Sequence, residues 1–287
     1  MFNGYMVAVV TPFKNGKIDI RAFEKYIGYI IGSGISGIVV CGSTGESLSL
    51  SNEEKIELIR TAAAVNDGKI KLIGGAICTT TEDCVEFINK TEKYVDSFLC
   101  TCPFYIKPSQ QQIYDYFERI SDSTSRSIIL YNNHERVGIN IEFNLFQKLC
   151  ELKNVIAIKE CSSDLSRFSV WRALTKKKFN FLTGNDNTAC AALAMGANGV
   201  ISVSANVAPE LCIRMYNAFK QNNLEGFAVL RDTLMHLHEL MFAEPSPAPV
   251  KYALSRMGLI SNELRAPLSP VSLELQEKIN RAVEELS

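Results

Sequence analysis

The sequence predicts an α/β fold, a closed parallel (β/α)8 barrel (TIM barrel) that is followed by a C-terminal helical extension. Short apolar runs rich in β-branched residues alternate eight times with amphipathic stretches, and eight βα units at this spacing favour a barrel. Several runs, such as residues 128–130 and 155–158, are apolar throughout, as expected for parallel strands covered on both faces. No G-x-G-x-x-G follows the first strand, so the mark of a doubly wound dinucleotide-binding sheet is missing.

The strands are predicted from the apolar runs and the helices from the spacing of apolar residues between them. The eight predicted strands are residues 6–10, 37–41, 71–77, 97–102, 127–131, 155–159, 179–183 and 199–204. The predicted helices between them include residues 20–31, 52–65, 81–94, 112–120, 141–152 and 165–174.

Beyond the eighth unit the sequence predicts helices only. These are residues 224–242, 250–257 and 271–286, with a break at the prolines of residues 245–249. We therefore divide the chain into a barrel catalytic domain, residues 1–222, and a C-terminal helical extension, residues 223–287. About 65 residues are too few to need a substrate site of their own, so we expect the extension to serve packing and assembly.

The composition excludes several classes of protein. The chain has 287 residues, of which 47% are hydrophobic and 21% are charged, values typical of a globular protein with a sizeable core. Its 30 Lys and Arg balance 31 Asp and Glu, a formal net charge of −1. No field of one sign therefore favours nucleic acid or acidic lipid as a partner, and a small-molecule function is expected.

The cysteines indicate a reducing compartment. The chain has 9 Cys, an odd number without a C-x-x-C pair, which argues against zinc ribbons and disulfide frameworks. Most lie inside apolar runs, where a thiol behaves as a small core residue. Residues 1–17 lack a basic segment followed by an apolar one, and no run of about 18 apolar residues occurs. We expect a cytoplasmic protein without a membrane span.

Lys159 is the sharpest functional candidate, since the active site of a parallel barrel lies at the carboxyl ends of its strands. It directly follows the apolar residues 155–158, which puts an amine at the mouth of the barrel among low-dielectric walls. Such surroundings disfavour the ammonium form, and a neutral lysine can attack a ketone to form a Schiff base. The alternatives are an ion pair with Glu160 or a side chain that extends to solvent.

A loop rich in glycine and hydroxyl groups follows the second strand. Residues 42–47 read GSTGES. Backbone N–H and side-chain O–H groups of such a turn can converge on a small anion, in the first place a carboxylate. An ordinary strand-to-helix turn with an N-cap has the same composition, so the pattern alone leaves both interpretations open.

Two further loops carry polar side chains after predicted strands. Residues 131–138 read YNNHERVG; a tyrosine at a strand end can move protons, and Arg136 can bind a carboxylate through two parallel hydrogen bonds. Residues 102–108 read CPFYIKP, an aromatic loop bounded by prolines. The structural alternatives are that Tyr131 is a packed aromatic plug and that the proline loop is merely rigid.

Together these stretches resemble the pyruvate-dependent class I aldolase family that contains dihydrodipicolinate synthase and N-acetylneuraminate lyase. The resemblance spans nearly the whole chain, from residues 9–13 (VVTPF) to residues 199–206 (GVISVSAN). It implies a barrel that forms a Schiff base with pyruvate and needs no cofactor or metal, because the imine is the electron sink. His134, His236 and His238 offer no convincing ligand set by their spacing.

The resemblance assigns roles to matching positions of this sequence. Lys159 resembles the lysine that forms the imine with pyruvate, and Tyr131 resembles the general acid/base. Ser43 and Tyr105 match the two other hydroxyls of a proton relay, and Tyr105 is expected to reach the site of a neighbouring subunit. This implies at least a dimer and suggests a homotetramer, a dimer of dimers. The positions expected to bind substrate are Thr44, Arg136, Gly184 and the backbone of Ile201.

Arg136 matters most for the choice between branches of the family. It looks like the arginine that the synthase branch uses at the site entrance for the carboxylate of L-aspartate 4-semialdehyde, and residues 201–206 also resemble that branch. The resemblance therefore implies condensation of pyruvate with this semialdehyde, in diaminopimelate and lysine biosynthesis.

Two departures from the family pattern occur near this site. Ser43 replaces the usual threonine and keeps the hydroxyl, so the relay is expected to survive. Residues 133–135 (NHE) lack the usual proline, so we expect a more flexible loop. Glu135 adds a negative charge beside Arg136, which weakens the assignment of the second substrate.

Two other functions stay open on the sequence. One is an aldolase that cleaves a sialic acid or a 2-keto-3-deoxy sugar acid, for which hydroxyl-binding residues would be needed at the site entrance. The other is a barrel that binds a keto acid without turning it over, as a regulator or assembly partner. Loss of semialdehyde turnover in Arg136→Ala would favour the synthase, and binding without turnover would favour the regulator.

The resemblance also extends to a feedback site for lysine at a dimer interface. The matching positions are Ser47, Leu48, Asn52, Lys55, Cys78, Glu82 and Phe104. A cation at Lys55 would repel the ammonium group of the ligand, and Cys78 and Phe104 offer few hydrogen bonds. We therefore expect weak or absent inhibition by lysine.

Overall fold

The computed structural model describes residues 2–285, and the predicted barrel is confirmed. Its strands are β1 (Gly4–Ala8), β2 (Gly37–Val40), β3 (Lys71–Ala76), β4 (Ser97–Thr101), β5 (Ser127–Asn132), β6 (Val155–Glu160), β7 (Asn180–Thr183) and β8 (Gly199–Ser202). All neighbours are parallel, and the sheet closes because β1 pairs with β8 on one side and β2 on the other. A small hairpin, Phe13–Lys14 with Lys17–Ile18, follows β1.

Helices connect the strands on the outside of the barrel and continue beyond it. They are α1 (Ile20–Gly32), α2 (Asn52–Asn66), α3 (Thr81–Thr91), α4 (Gln110–Ser123), α5 (His134–Val137), α6 (Phe143–Glu151), α7 (Ser166–Leu174), α8 (Ala189–Ala194), α9 (Pro209–Lys220), α10 (Leu224–Phe242), α11 (Ala248–Arg256) and α12 (Leu273–Glu285). Short 3-10 turns occupy Ser47–Ser49, Glu92–Tyr94 and Ser204–Asn206.

Capping residues define where several helices begin. The side chains of Ser51 and Ser109 each accept a hydrogen bond from the backbone N–H three residues on. In turn, the side chains of Glu54 and Gln112 accept from the backbone N–H of Ser51 and Ser109. Such capping boxes satisfy donors that the first helical turn leaves unpaired, and one cap contributes about 1 kcal/mol. The helices of the second and fourth units therefore start where their local sequence dictates.

Almost all elements begin or end within about three residues of their predicted bounds, and three of the differences have a clear physical cause. The first strand is Gly4–Ala8 rather than residues 6–10. The N–H of Val9 still donates to the carbonyl of Val39 at 3.1 Å, but the N–H of Val10 donates to the hydroxyl of Tyr26 at 3.3 Å, so the ladder ends there. Helix α11 starts at Ala248 within the proline cluster, since proline is tolerated at the first helical positions. Helix α12 starts two residues late because the Ser272 hydroxyl accepts from the N–H of Leu275, and Leu286, its predicted end, lies outside the described residues.

Two sets of apolar side chains build the core, because successive residues of a strand point to opposite faces. The larger set packs between the strands and the helices. The smaller set fills the barrel and includes Met6, Ala8, Val39, Ile73, Leu99, Ile129, Tyr131, Ala157, Leu182 and Ile201. Lys159 lies two residues beyond Ala157 on β6 and so points to the same face. The barrel interior thus ends in a tyrosine and a lysine at its carboxyl end.

A buried ion pair joins the C-terminal extension to the barrel. Nζ of Lys251 in α11 donates to Glu46, in the loop after β2, at 2.6 Å, and both side chains are fully buried. The Arg265 backbone N–H donates to the second oxygen of Glu46 at 3.1 Å, and the Arg265 guanidinium pairs with Glu54 of α2. These contacts hold the extension against the loop that precedes α2.

The link between barrel and extension is short. Helix α9 ends at Lys220, and α10 begins at Leu224 after the N-cap Asn223. We propose this link, between residues 222 and 223, as the boundary between the two parts of the chain.

Among the described residues, no helix is long and apolar enough to cross a membrane. All 9 cysteines are free thiols. Over the same described part of the chain, no group of three or more His, Cys, Asp or Glu side chains is arranged to hold a metal ion.

Candidate active site

Lys159 and Tyr131 lie side by side at the carboxyl end of the barrel, as register partners of β6 and β5. Nζ of Lys159 lies 4.6 Å from the centre of the Tyr131 ring. Only 6% of Lys159 and 4% of Tyr131 are exposed. Within residues 2–285 this Nζ has no hydrogen-bond or ion-pair partner. The structure therefore contains a buried amine to which no other group of the described chain is bonded.

Glu160 does not pair with Lys159, so that alternative from the sequence is wrong. Its carboxylate is fully buried and accepts from Nε of Arg167 at 2.8 Å, from Nδ2 of Asn132 at 2.9 Å and from the N–H of Ser162 at 2.7 Å. Successive strand residues point to opposite faces, so Glu160 anchors β6 to β5 and α7 from outside the barrel. This network fixes the strand ends that carry Lys159 and Tyr131.

Gly184, at the end of β7, makes room for the lysine. A Cβ atom at this position would lie 2.2 Å from Cε of Lys159 and 2.4 Å from Sγ of Cys161. Both separations are far below van der Waals contact, so any side chain here would displace the lysine stem or the thiol. The side chains of Lys159 and Cys161 lie directly against the backbone of Gly184. This close approach explains why the predicted substrate-binding position is a glycine.

The hydroxyl loop after β2 is shaped by its backbone. Cys41 has a φ of +59°, a left-handed conformation that turns the chain sharply at the strand end. Its carbonyl oxygen would lie 2.3 Å from a Cβ on residue 75 of β3, so Gly75 permits the turn. Thr11 then donates to the carbonyl of Gly45 at 2.7 Å. The loop is therefore held from both sides.

Within this loop, two hydroxyl side chains are available for a ligand. The N–H groups of Gly45 and Glu46 donate to carbonyls inside the turn. By contrast, the hydroxyls of Ser43 and Thr44 have no protein hydrogen-bond partner among residues 2–285. The loop is followed by a 3-10 turn, Ser47–Ser49, before α2 begins at Asn52.

The segment after β5 forms one turn of helix, α5, without the usual proline, and the flexibility expected of it stays a prediction. The side chain of Asn133 caps α5 by accepting from the N–H of Arg136 at 3.2 Å, and Gly138 ends the turn with a φ of +77°. Nδ2 of Asn133 donates to the hydroxyl of Tyr131 at 3.1 Å. Arg136 is exposed at the mouth, and in the described chain its guanidinium has no ion-pair partner.

The end of β8 forms another wall. Oδ2 of the buried Asp186 accepts from the N–H groups of Val203 and Ser204 at 2.8 and 3.0 Å, which ties the segment after β8 to the segment after β7. Val203 lines the cavity. Ile201, whose backbone was predicted to bind substrate, is buried inside the barrel, and its side chain does not line the cavity.

These walls enclose a cavity of about 260 Å³ at the carboxyl end of the barrel. It is lined by Ser43, Thr44, Tyr131, Asn133, Glu135, Arg136, Lys159, Cys161, Gly184, Asn185, Asn187, Val203, Phe242 and Ser246. A neighbouring cavity of about 460 Å³ shares several of these residues and extends to Ser47, Leu48, Phe104 and Leu268. Six of the eight predicted site residues thus meet in one cavity.

Tyr105 is the predicted catalytic residue that does not reach this cavity. It is 91% exposed, has a φ of +71°, and does not line either space. Ile106 beside it and Leu48 are also exposed apolar side chains, at 66% and 68%. The site within a single chain therefore lacks one hydroxyl of the predicted relay.

The structure adds residues that the sequence analysis did not assign. Phe242 and Ser246 reach the cavity from the C-terminal extension, which was expected to serve only packing and assembly. Cys161 lines it beside Lys159; burial raises the pKa of the Cys161 thiol, and the nearby Lys159 opposes this shift. Residues two positions apart in an extended chain point to the same face. The position of Cys161, two residues after Lys159, was therefore the only feature of the sequence that could have indicated it.

The fold and the cavity define a class: a (β/α)8-barrel enzyme whose site is built around a buried lysine at a strand end. Comparison with known proteins then identifies the family. The chain belongs to the dihydrodipicolinate synthetase family, whose sequence profile matches residues 1–286.

Individual relatives agree with this assignment over the whole chain. The 4-hydroxy-tetrahydrodipicolinate synthase of Parvibaculum lavamentivorans is 39% identical over 284 residues, which cover 97% of this chain and 96% of that one. The crystal structure of dihydrodipicolinate synthase from Thermotoga maritima matches with a TM-score of 0.96 and 35% identity, covering 100% and 99%. The Acinetobacter baumannii dihydrodipicolinate synthase, complexed with pyruvate, matches with a TM-score of 0.96 and 30% identity, covering 100% and 99%.

Proposed function

We propose that this protein is a 4-hydroxy-tetrahydrodipicolinate synthase, which condenses pyruvate with L-aspartate 4-semialdehyde in diaminopimelate and lysine biosynthesis. The observation that carries the proposal is the buried Lys159 amine, which lies against Tyr131 without a protein partner. Relatives that bear this name cover the whole chain. The Acinetobacter relative, complexed with pyruvate, supports pyruvate as the first substrate.

The site residues support a stepwise reaction. The Lys159 amine adds to the keto carbon of pyruvate, and loss of water leaves an imine. The imine withdraws electrons from the adjacent methyl group, which loses a proton to become an enamine carbon nucleophile. That carbon attacks the aldehyde of the second substrate, whose own amine then displaces Lys159 and closes the ring. Tyr131 and Ser43 move the protons, since both carry hydroxyl groups and both residues line the cavity with Lys159.

Binding of the two carboxylates falls to different walls. The free hydroxyls of Ser43 and Thr44, beside the loop backbone, suit the pyruvate carboxylate. Gly184 and Val203 line the cavity beside these groups, and binding of pyruvate by the backbone of Ile201 stays a prediction from the family resemblance. The unpaired guanidinium of Arg136 at the entrance suits the carboxylate of the semialdehyde. Glu135 lines the same space and weakens that attraction by its opposite charge.

Borohydride trapping tests the first step. Pyruvate and borohydride together are expected to leave a reduced adduct on Lys159, found by peptide mass spectrometry, and Lys159→Ala is expected to lose it. Lys148→Ala, which removes an exposed lysine of α6, serves as the matched control and keeps the adduct. An adduct on another lysine, or none, contradicts the proposal.

Arg136 separates the synthase from a sugar-acid aldolase. Arg136→Lys keeps the charge but loses the planar pair of donors, so the KM for the semialdehyde is expected to rise about tenfold or more, with pyruvate trapping unchanged. Cleavage of N-acetylneuraminate or a 2-keto-3-deoxy sugar acid by the wild type, without semialdehyde turnover, would instead assign the lyase function. Pyruvate binding without any turnover would assign the regulatory role.

We further propose a homotetramer in which Tyr105 acts in a neighbouring subunit. Support comes from its exposure in the single chain together with the exposed Leu48 and Ile106. Mixing inactive Lys159→Ala chains with weakly active Tyr105→Phe chains is expected to restore turnover, since a mixed dimer contains one site with both residues. Activity no greater than the sum of the two variants refutes exchange of Tyr105, and light scattering measures the assembly.

Weak inhibition by lysine remains part of the proposal. Lys55 is buried among the matched positions, and Ser47, Leu48 and Phe104 line the larger cavity. A cation there opposes the binding of a cationic ligand. Inhibition at sub-millimolar lysine in a rate assay would contradict this. The 9 free thiols suit a cytoplasmic enzyme.

A further inference from the structure

Asn133 connects the two functional ends of the segment after β5. The side chain is buried, with 8% of the residue exposed, and both ends of its amide are bonded. Oδ1 accepts from the N–H of Arg136 at 3.2 Å, and Nδ2 donates to the Tyr131 hydroxyl at 3.1 Å. One amide group therefore joins the expected acid/base to the turn that carries the expected carboxylate-binding arginine.

The direction of these hydrogen bonds follows from chemistry. A backbone N–H can only donate, so the amide oxygen must face Arg136. The NH2 group must then face the Tyr131 oxygen, which accepts. Because that lone pair is occupied by Asn133, the phenolic O–H is left to donate on the other side, toward the cavity and the Cys161 thiol that also lines it.

We propose that Asn133 is a positioning residue for proton transfer by Tyr131, acting through its NH2 group rather than through contact with the substrate. The inference rests on the proposed function, since it assigns to Tyr131 the acid/base role in imine chemistry. It also explains how this chain forms a helical turn after β5 without the proline: the amide that caps α5 is the one that bonds to Tyr131.

Asn133→Asp separates the two roles of the side chain. Aspartate caps a helix as well as asparagine does, so the bond to Arg136 is kept. A carboxylate cannot donate a hydrogen bond to Tyr131. It instead accepts a hydrogen bond from the Tyr131 O–H, so the direction of the bond is reversed. We expect kcat to fall about 10- to 100-fold, within the range that acid/base groups contribute, while the KM for pyruvate changes less than about threefold.

The pH profile distinguishes this from a structural effect. At low pH the new carboxyl is neutral and can donate as the amide did, so the ratio of variant to wild-type kcat is expected to rise as pH falls. Asn133→Ser also keeps a capping oxygen, but its shorter side chain lacks the NH2 group and cannot bridge from the N–H of Arg136 to the Tyr131 hydroxyl; its ratio is expected to stay low at every pH. Asn144→Asp, on the exposed face of α6, adds the same charge elsewhere and is expected to retain wild-type kcat.

Two results would overturn the inference. One is a kcat within about twofold of wild type for either Asn133 variant. The other is a lowered kcat in Asn133→Asp whose ratio to wild type does not change with pH, which indicates damage to the fold. Thermal unfolding checks that both variants fold. If Asn133→Asp does not fold, the kcat of Asn133→Ser tests the inference. Borohydride trapping in the wild type tests the proposed function separately, because that adduct depends on Lys159.

Discussion

Gly184→Ala is expected to inactivate the enzyme while leaving it folded. The new methyl carbon would lie 2.2 Å from Cε of Lys159 and 2.4 Å from Sγ of Cys161. Carbon atoms in contact are about 3.5–4.0 Å apart, so Cε must move by more than about 1 Å. A displacement of that size at a reacting group costs about 100-fold in rate. We therefore expect kcat to fall by about this factor.

The cost in stability is expected to be smaller and separable. Overpacking by one methyl group costs about 1–3 kcal/mol, and the lysine stem can swing aside because it ends in the cavity. The double variant Gly184→Ala with Cys161→Ala removes the clash with sulfur but not the clash with Cε. It is expected to recover part of the stability without recovering kcat.

The assay combines turnover, pyruvate trapping by borohydride and urea unfolding on the same preparations. Gly28→Ala is the matched control, since Gly28 is exposed within α1 and a Cβ there meets nothing within 4 Å. A Gly184→Ala variant that turns over and traps pyruvate within about threefold of wild type would refute the placement of Lys159 against this glycine.

Three further predictions concern stability. Lys251→Met leaves the fully buried Glu46 without its partner and is expected to cost about 3–5 kcal/mol in urea unfolding; little loss would contradict the burial. Burial lowers the pKa of His238, so the unfolded chain takes up a proton at this residue more readily than the folded protein does. The free energy of unfolding is therefore highest above about pH 6.5 and decreases as the pH falls below it, by at most about 1.4 kcal/mol per pH unit. His238→Phe should therefore be less sensitive to acid than wild type; equal sensitivity refutes this. Gly28→Ala is expected to stabilise the protein by about 0.5–1 kcal/mol, and a loss of stability would contradict open space there.

Part of the candidate site could be read from the sequence because strand ends are local features. Lys159 and Tyr131 each close an apolar run, and in a closed parallel barrel all such ends meet at one rim. The register of β5 and β6 then pairs the two residues. The hydroxyl loop after β2 follows the same logic, since it also begins where a buried strand ends.

Other parts of the site depended on contacts between distant segments. Lys159 lies within the last residues of β6, whereas Tyr105 lies in the loop after β4, which ends at Thr101, and its side chain is 91% exposed in the single chain. In the sequence, Asn133 stands out only as part of a segment that lacks the usual proline. Its role becomes visible from its hydrogen bond to the Tyr131 hydroxyl. Phe242 reaches the cavity from the extension.

Hydrophobic periodicity and strand ends are properties of neighbouring residues, so the alternation of strands and helices, the barrel, and the lysine and tyrosine that face its interior could be predicted from the amino-acid sequence. The folded structure was needed to show that Glu160 pairs with Arg167 rather than Lys159, that Gly184 leaves room for the lysine stem, and that Lys251 neutralises Glu46. Each of these depends on distances between side chains from different elements, which close packing of the folded chain sets and no local pattern records.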